Sequence, residues 1–284
     1  MADRGGIVIT GASTGIGEAC AIGLAERGYR VFAGVRKPED GDRLKARGGA
    51  NLVPLTIDVT DQATIDAANG EVADRLDGLP LRGLFNNAGV SVNGPLEFVK
   101  PEELRWQLEV NCVGQLAVTQ AFLPMLRASK GRIITTGSVG GFVATPILGP
   151  YCMSKFAMEA FSDSLRVELM PQGVHVVLLE PAAIATPIWD KGIDDSRRMV
   201  ADAPSGFEER YGLFLAGIRK FAEEGKNDAA PAQVVLDAVI HALEATKPKT
   251  RYTMGTGVGQ RKFLRRLPDR WRDKALLSAF GIKL

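Results

Sequence analysis

Short runs of aliphatic and β-branched residues alternate with longer amphipathic segments through the first 180 residues, and this alternation constrains the fold most strongly. The runs predict strands at 7–9, 29–35, 52–57, 81–85, 132–136 and 174–179. The amphipathic segments predict helices near 15–27, 62–76, 102–127 and 151–170. Strands separated by helices indicate βαβ units. The sequence therefore predicts an α/β fold, a doubly wound parallel sheet in a single domain.

Composition excludes several classes of protein. The chain of 284 residues has a formal net charge of +2, so we expect no nucleic-acid partner. Its three cysteines, Cys20, Cys112 and Cys152, are far apart and predict neither a disulfide framework nor a metal site. No stretch approaches the ~20 apolar residues that span a bilayer, and the amino terminus lacks the apolar segment of a secretory signal. These features together predict a cytoplasmic protein.

A glycine-rich turn joins the first predicted strand to the first predicted helix. It reads Thr10-Gly11-Ala12-Ser13-Thr14-Gly15-Ile16-Gly17. At such a turn, glycines permit a tight bend, a close approach of backbone N–H groups to a pyrophosphate and close packing of the helix on the sheet. One interpretation is a glycine turn used only for packing. Its position between strand and helix favours dinucleotide binding, with contacts from Gly11, Ser13, Thr14, Gly15, Ile16 and Gly17.

Five motifs, in order, resemble the short-chain dehydrogenase/reductase family, nearest to its hydroxysteroid and retinol dehydrogenase branch. They are the glycine turn, Asn86-Asn87-Ala88-Gly89, Asn111, Ser138 and Tyr151-Cys152-Met153-Ser154-Lys155. The resemblance implies a Rossmann-like fold, a homodimer or homotetramer, and hydride transfer between a nicotinamide cofactor and a carbonyl or secondary alcohol. It also implies cofactor contacts at Asp58, Val59, Asn87, Ala88, Gly89, Pro181, Ile184 and Thr186.

The end of the second predicted strand bears on which nicotinamide cofactor is bound. It reads Val35-Arg36-Lys37, with Val35 where NAD-specific members of the family carry aspartate. A basic side chain at this position accommodates the 2′-phosphate of NADP. We therefore expect NADP(H) rather than NAD(H), with Arg36 and Lys37 at the phosphate. The alternative is that both are solvated surface charges.

Tyr151 and Lys155 are four residues apart, so one helix face carries both. A free tyrosine has a pKa near 10, and an ammonium at ~4 Å supplies about the 4 kcal/mol that would lower it to about 7. We expect Tyr151 to be the acid/base, partly ionised beside Lys155, with both also contacting the cofactor. Ser138 would orient the substrate oxygen. Asn111, by resemblance, would hold a water in a proton relay through Lys155. The competing hypothesis is a noncatalytic dinucleotide sensor or scaffold on the same fold.

Apolar residues at 139–148 predict a bulky apolar substrate, and the resemblance suggests a steroid- or retinoid-like carbonyl or alcohol. Residues 1–246 would form the catalytic domain, with a helical substrate lid at about 183–230 that includes Ile188 and Met199. Ala182 stands where the family commonly has glycine, which a negative φ would tolerate. The predicted substrate contacts are Ser138, Gly140, Phe142, Tyr151 and Trp189.

Residues 247–284 carry eleven Lys and Arg against two acidic residues, interleaved with apolar positions. This pattern predicts a basic C-terminal extension with amphipathic helical character. One interpretation is peripheral contact with an anionic membrane surface. The other is a helix packed on its own domain with a solvated basic face.

Overall fold

Seven parallel strands form one sheet in the computed structural model, which describes residues 4–187, 189 and 205–282. The strands in chain order are β1 Gly6–Ile9, β2 Arg30–Val35, β3 Leu52–Thr56, β4 Leu81–Asn86, β5 Arg132–Thr136, β6 His175–Pro181 and β7 Arg251–Met254. Their order across the sheet is β3-β2-β1-β4-β5-β6-β7. The chain thus starts mid-sheet and winds outward both ways, which confirms the predicted doubly wound, Rossmann-like fold.

Helices cover both faces of this sheet. They are α1 Gly15–Glu26, α2 Pro38–Gly48, α3 Gln62–Arg75, α4 Pro101–Leu108, α5 Gly114–Ser129, α6 Gly149–Leu169, α7 Phe207–Asn227, α8 Gln233–Glu244, α9 Val258–Arg266 and α10 Asp269–Ala279. The helix predicted near 102–127 is two helices, because a π-helical turn at Glu109–Val113 interrupts it. The sequence did not indicate α2, which is highly charged and buries only Gly41 and Leu44.

The alternation of side chains along β1 divides the core into two layers. Ile7 and Ile9 pack under α1 and α8, whereas Val8 points to the opposite face under α3 and α5. All three are fully buried, and each such side chain contributes about 1.5–3 kcal/mol on leaving water. Because helices cover both faces of the sheet, a ligand can approach the strands at their carboxyl ends.

The last strand corrects the predicted domain boundary at residue 247. β7 pairs in parallel with β6, from Leu178 opposite Arg251 to Pro181 opposite Met254. The basic extension therefore begins inside the sheet and not after the catalytic domain. The four residues of β7 are all only partly buried, so they lack the apolar run by which a strand is recognised in sequence.

A charged cluster ties β6 and β7 to α6. Arg251 Nη2 lies 3.0 Å from Glu159 Oε2 and 2.8 Å from Asp163 Oδ2, and its Nε lies 3.4 Å from Glu180 Oε1. Thr253 donates its hydroxyl to Glu180 at 2.7 Å. Burial raises the pKa of Glu159 to about 7, and its contact with Glu180 acts in the same direction while Arg251 opposes it. The three carboxyl groups thus share the positive charge of one guanidinium.

Within the described part of the chain, no helix combines the length and the apolar character needed to cross a bilayer.

Candidate active site

A cleft of 630 Å³ lies at the carboxyl ends of the central strands. The glycine turn lines one end, and Ser138, Tyr151 and Lys155 line the other. Successive strands are added to one side of β1 up to β3 and to its other side from β4 onward, so the strand order reverses between β1 and β4. Open α/β sheets bind ligands at such a reversal. The predicted cofactor residues that line it are Gly11, Ser13, Thr14, Gly15, Ile16, Arg36, Asp58, Val59, Asn87, Ala88, Gly89, Tyr151, Lys155, Pro181, Ile184 and Thr186.

The glycine turn has the geometry that a phosphate cradle needs. Gly11 has φ +63°, a conformation that a side chain disfavours. A Cβ at Gly17 would lie 2.2 Å from the Gly11 carbonyl oxygen and 2.6 Å from Asn87 Nδ2. Thr14, the N-cap of α1, makes no side-chain cap hydrogen bond to the first-turn N–H groups. The positive end of α1 is thus directed at the cleft, where an anion would satisfy it.

A hydrogen-bond network holds the turn after β4 against the glycine turn. The Thr10 hydroxyl accepts from the backbone N–H groups of Asn87 and Ala88, each at 3.0 Å. Asn87 Nδ2 donates to the carbonyl oxygens of Thr10 and Gly11 at 3.2 and 3.1 Å. Gln115 donates to the Ala88 carbonyl from below. The sequence analysis assigned no site role to Thr10 or Gln115. Neither lines the cleft, and each supports the turn at Asn87 and Ala88, which is distant from it in sequence.

The adenosine end of the cleft brings Arg36 and Asp58 together. Partial burial raises the pKa of Asp58, but hydrogen bonds from Thr60 and the charge of Arg36 outweigh it, so the net pKa is lowered. Asp58 is therefore ionised at neutral pH and accepts from Thr60 Oγ1 at 2.7 Å. Val35 lines the cleft beside them with an apolar side chain. This end of the cleft therefore carries the Arg36 guanidinium, and the last residue of β2 is the apolar Val35 and not an acid.

Tyr151, Ser138 and Lys155 converge at the other end of the cleft. Lys155 Nζ lies 5.6 Å from the centre of the Tyr151 ring, so both side chains leave α6 on the same side, as predicted. Lys155 Nζ donates to the Thr136 carbonyl at 2.7 Å. Tyr151 hydrogen-bonds with the Ser138 side chain, whose Oγ accepts from Gly140 N–H at 3.0 Å. A phenol, a hydroxyl and an ammonium thus meet at one wall.

The ionisation predicted for this pair is wrong for the protein's own side chains. Burial raises the pKa of Tyr151 to about 12, although the hydrogen bond with Ser138 opposes the rise. Burial also lowers the pKa of Lys155 to about 8. Burial is the largest cause of both shifts and disfavours the phenolate and the ammonium alike, whereas the sequence argument had considered only the attraction between the two charges. Tyr151 is therefore a protonated phenol at neutral pH, equipped to donate a proton.

Asn111 lies in the π-helical turn, and it is not among the residues that line the cleft. Its Oδ1 accepts from Val90 N–H at 2.8 Å, and its Nδ2 donates to the Val90 carbonyl and to Ser154 Oγ, each at 3.0 Å. Ser154 in turn donates to the Tyr151 carbonyl at 2.7 Å. Gln107, fully buried, holds the same loop through Val90 O at 2.8 Å. Asn111 thus joins the loop after β4 to the helix that carries Tyr151.

Apolar side chains form the walls around the catalytic end. They are Val139, Ile147, Leu148, Trp189, Ile218 and Ala222, with Gly140 also in the lining. Ile147 has φ +70°, a strained conformation for a β-branched residue, and such outliers concentrate at functional sites. Trp189 donates its indole N–H to the Ile184 carbonyl at 2.8 Å.

Helix α7 supplies the described part of the predicted lid. Ile218 of this helix lines the cleft, and its inner face packs with Phe98, Ile147 and Phe280. Ile188, Met199 and the rest of the predicted lid at 190–204 lie outside the described residues.

Several predicted site residues lie outside the cleft lining. Phe142 packs against Val258 and Leu264 of α9, and the structure does not bring it into the cleft lining where a substrate contact was predicted for it. Lys37 is 72% exposed and lies 4.0 Å from Glu39, so the structure does not bring it to the cleft. Asn86 of the same motif as Asn87 is buried and donates to Thr119 at 2.7 Å. Gly17 does not line the cleft, and it packs closely against the Gly11 carbonyl and the Asn87 side chain.

Ala182 is accommodated as the sequence argument required. It is not among the residues with positive φ, and its N–H donates to the Met254 carbonyl at 2.8 Å. The methyl group is therefore compatible with the extended backbone between β6 and the nicotinamide-side contacts predicted at Ile184 and Thr186.

No cluster of three or more histidine, cysteine or carboxylate side chains is arranged to hold a metal within residues 4–187, 189 and 205–282.

Comparison with known proteins places this geometry in a family. Residues 6–196 match the family model of short chain dehydrogenases. The chain is 36% identical to an NADPH-dependent 3-dehydrocapnine reductase of Ornithobacterium rhinotracheale over 94% of each protein. It is 33% identical to retinol dehydrogenase 5 of Mus musculus, over 88% of this chain and 80% of that protein. A short chain dehydrogenase from Burkholderia cenocepacia in complex with NADP superposes with a TM-score of 0.70 and 28% identity, covering 98% of this chain and 99% of that one. The chain is a member of the short-chain dehydrogenase/reductase family of oxidoreductases, related to its retinol dehydrogenases.

Proposed function

We propose that this protein is an NADP(H)-dependent reductase of bulky apolar carbonyl compounds, with Tyr151 as the proton donor. The observation that carries the proposal is the meeting of a protonated Tyr151, Ser138 and Lys155 at an apolar wall of the cleft. The glycine turn lines the opposite end of the same cleft, as the binding of one extended dinucleotide requires.

Each of the three side chains has a different role in carbonyl reduction. The nicotinamide supplies the hydride that forms the new C–H bond when the cofactor is bound. Ser138 donates a hydrogen bond to the carbonyl oxygen and holds it beside Tyr151. As negative charge develops on that oxygen, Tyr151 transfers its phenolic proton, and the resulting phenolate is stabilised by Lys155. The reverse oxidation needs Tyr151 ionised, and a pKa raised to about 12 disfavours that state at neutral pH.

The remaining site residues hold these groups and the cofactor in place. Asn111 acts as a positioning residue, because its amide fixes Val90 and the Ser154 hydroxyl that supports Tyr151. When the cofactor is bound, Lys155 would also donate to its ribose, and the Ile184 backbone and the Thr186 hydroxyl would hold its carboxamide. These roles agree with the places of Lys155, Ile184 and Thr186 in the cleft lining.

Replacement of Tyr151 by phenylalanine tests the catalytic role. We expect Tyr151→Phe to lower kcat by about 100-fold or more while leaving the Kd for NADPH within about twofold, because the ring stays and only the proton donor is lost. Tyr252→Phe is the matched control, since the Tyr252 hydroxyl bonds to His241 at 2.6 Å outside the cleft lining. Unchanged turnover in Tyr151→Phe would favour another acid. Tight NADPH binding without turnover of any carbonyl in the wild type would favour the noncatalytic sensor.

The preference for NADP(H) rests on the cations around the end of β2. Arg36 lines the cleft, and Arg43 of α2 donates to the Ser13 carbonyl of the glycine turn at 2.5 Å. We expect Arg36→Glu to weaken NADPH binding by roughly 10- to 100-fold, the loss of one charge-assisted hydrogen bond, with little change for NADH. Lys45→Glu, an exposed reversal on the same helix as Arg43, is the control. Equal weakening of both cofactors would place Arg36 away from the 2′-phosphate.

A panel of carbonyl compounds tests the substrate class. The apolar walls favour steroid- and retinoid-like ketones or aldehydes over small polar ketones. We expect kcat/KM to rise with the apolar area of the substrate in an NADPH-oxidation assay. Turnover confined to small polar ketones would remove the bulky apolar class while leaving the reaction type intact.

The proposal also covers the cellular location, the oligomeric state and a contact with membranes. We place the protein in the cytoplasm, where its three free cysteines would stay reduced, as a homodimer or homotetramer. Phe263 and Trp271, 63% and 69% exposed, lie among the basic residues of α9 and α10 and suit peripheral contact with an anionic membrane. Sedimentation measures the oligomer. Flotation with phosphatidylserine vesicles, compared between wild type and Phe263→Ser/Trp271→Ser, tests the membrane contact, and equal flotation would exclude it.

A further inference from the structure

The loop that follows β4 is held by the rest of the protein at every second residue. Gln107 donates to the Val90 carbonyl at 2.8 Å and accepts from the Val92 N–H at 2.6 Å. The Gly94 N–H donates to the Ile147 carbonyl at 2.7 Å. The backbone of this loop is therefore fixed from its first residue to its last.

Two polar side chains of this loop, those of Ser91 and Asn93, line the cleft between the fixed residues. The Ser91 hydroxyl donates to Asn93 Oδ1 at 2.9 Å. An asparagine amide has one oxygen, which accepts, and one nitrogen, which donates two hydrogens. Because Ser91 engages the oxygen, the nitrogen of Asn93 is the group that can donate to a bound molecule.

The Asn93 amide nitrogen differs from two other donors of the cleft lining. Trp189 donates its indole N–H to the Ile184 carbonyl at 2.8 Å, and Thr256 donates its hydroxyl to the Asp228 carbonyl at 2.6 Å. Of the residues that the structure describes, none accepts a hydrogen bond from Asn93 Nδ2. The side chain is half-buried, so a molecule that displaces water from this nitrogen must replace the hydrogen bond that the water made.

Asn93 lies at the catalytic end of the cleft. Ile147, which holds the adjacent Gly94, also lines the cleft. It belongs to the loop that joins Ser138 to Tyr151. A molecule that contacts Asn93 therefore occupies the part of the cleft in which a carbonyl would meet Tyr151.

We propose that Asn93 binds a second oxygen of the substrate, so that the substrate is an apolar carbonyl compound with another neutral acceptor, a ketone or a hydroxyl. This inference rests on the proposed carbonyl reduction and specifies the molecule that undergoes it. The Asn93 amide donates to the second oxygen, while Ser138 and Tyr151 meet the reacting one. A neutral amide supplies no charge to offset that of a carboxylate, so a neutral oxygen suits it better. Asn93 thus determines specificity and takes no part in proton transfer.

Ketone binding tests this site without turnover, in protein saturated with oxidised NADP, which carries no hydride to transfer. Each symmetric diketone is compared with the monoketone of the same length: octane-2,7-dione with 2-octanone, decane-2,9-dione with 2-decanone and dodecane-2,11-dione with 2-dodecanone. A second ketone makes the molecule less apolar, so the quantity compared between variants is the ratio of the two dissociation constants. We expect Asn93→Ala to shift that ratio against the diketone by about 3- to 10-fold at one chain length or more, as the loss of one neutral hydrogen bond implies.

Two further variants separate the lost donor from a disturbed loop and from a general change in polarity. The carboxylate of Asn93→Asp still accepts from Ser91 but has no hydrogen to donate, so we expect the same shift. Thr256→Val removes a cleft hydroxyl that already donates to Asp228 and should leave the ratio within about twofold of the wild type.

Three results would overturn the proposal. One is a ratio that neither Asn93 variant changes at any chain length. Another is an equal shift in Thr256→Val. The third is weaker binding of NADP in Asn93→Ala with an unchanged ketone ratio, because this would assign the amide to the cofactor.

Turnover of the same ketone pairs with NADPH distinguishes this inference from the proposed function. We expect Asn93→Ala to lower kcat/KM for the diketone by about 3- to 10-fold through KM and to leave the monoketone within about twofold. Reduction of both ketones with a ratio that does not depend on Asn93 refutes the second binding group and keeps the reductase. An Asn93-dependent ratio of dissociation constants without turnover of any carbonyl compound refutes the reductase and keeps the binding group.

Discussion

Replacement of Arg251 by methionine should destabilise the protein strongly, because it leaves acidic groups buried beneath β7 without their cation. Glu180 is 3% exposed and lies 3.4 Å from Arg251 Nε, and Glu159 and Asp163 lie 3.0 and 2.8 Å from Arg251 Nη2. Removal of one partner from a buried ion pair costs about 3–5 kcal/mol. Arg251 is itself 30% exposed, so solvent screening places the expected loss near the lower limit, about 3 kcal/mol.

Chemical and thermal unfolding measure this loss. A change of about 3 kcal/mol corresponds to a decrease of roughly 6–12 °C in the thermal midpoint for a protein of this size. Arg266→Met, which removes an exposed arginine of α9, should stay within about 0.5 kcal/mol of the wild type. Adding Glu180→Gln to Arg251→Met should recover part of the loss, since a neutral amide still accepts from Thr253.

The pH dependence identifies the cause of the loss. The pKa of Glu159 is raised from 4.5 to about 7, so its contribution to stability is full below about 4.5 and falls as pH rises through about 7. Without Arg251, Glu159 is protonated at pH 5 and carries no unpaired charge, whereas at pH 8 it must ionise or stay neutral at a cost. The loss should therefore be larger at pH 8 than at pH 5. A loss that is below about 1 kcal/mol, or equal at both pH values, would refute the electrostatic explanation.

Three further predictions concern the cleft. Gly17→Ala should weaken NADPH binding by at least about tenfold, measured by fluorescence titration, because its Cβ would lie 2.2 Å from the Gly11 carbonyl oxygen and must displace the turn; unchanged affinity would contradict this geometry. The kcat/KM for reduction should stay level below pH 8 and fall as Lys155 loses its proton at about that pH, whereas Lys155→Arg should show no such fall in whatever activity remains. Asn111→Leu should cost about 1–3 kcal/mol of stability, because it leaves the Val90 N–H without its side-chain acceptor, whereas the Val90 carbonyl keeps Gln107 as a donor; an unfolding free energy equal to that of the wild type would argue against this role.

Local patterns were sufficient for the central sheet and for much of the cleft. Each of the six strands predicted is an apolar run whose hydrogen bonds and side-chain alternation repeat over a few residues. The glycine turn is likewise a local backbone requirement, and the four-residue spacing of Tyr151 and Lys155 places both on one face of α6 whatever the rest of the chain does. These features depend on neighbours along the chain, which is why the sequence reveals them.

The missed elements lack such a local signal. β7 has only partly buried residues and exists because the edge of β6 offers hydrogen-bond partners. α2 is mostly charged and buries only Gly41 and Leu44, so it has no apolar face from which a helix could be predicted. The π-helical turn within the predicted 102–127 helix places Asn111 against Val90, and helical periodicity does not predict it.

Sequence alone determined the six apolar strands, the glycine turn and the placing of Tyr151 and Lys155 on one helix face, because each is encoded within a few consecutive residues. Only the tertiary structure decided which partners the charged side chains contact. Arg251 and Arg261 count equally as basic residues of the tail, yet one meets Glu159, 92 positions away, in the core and the other meets Thr145, 116 positions away, in the cleft. The state of Tyr151 was decided in the same way, since its pKa follows from the water that the assembled fold removes around the phenol.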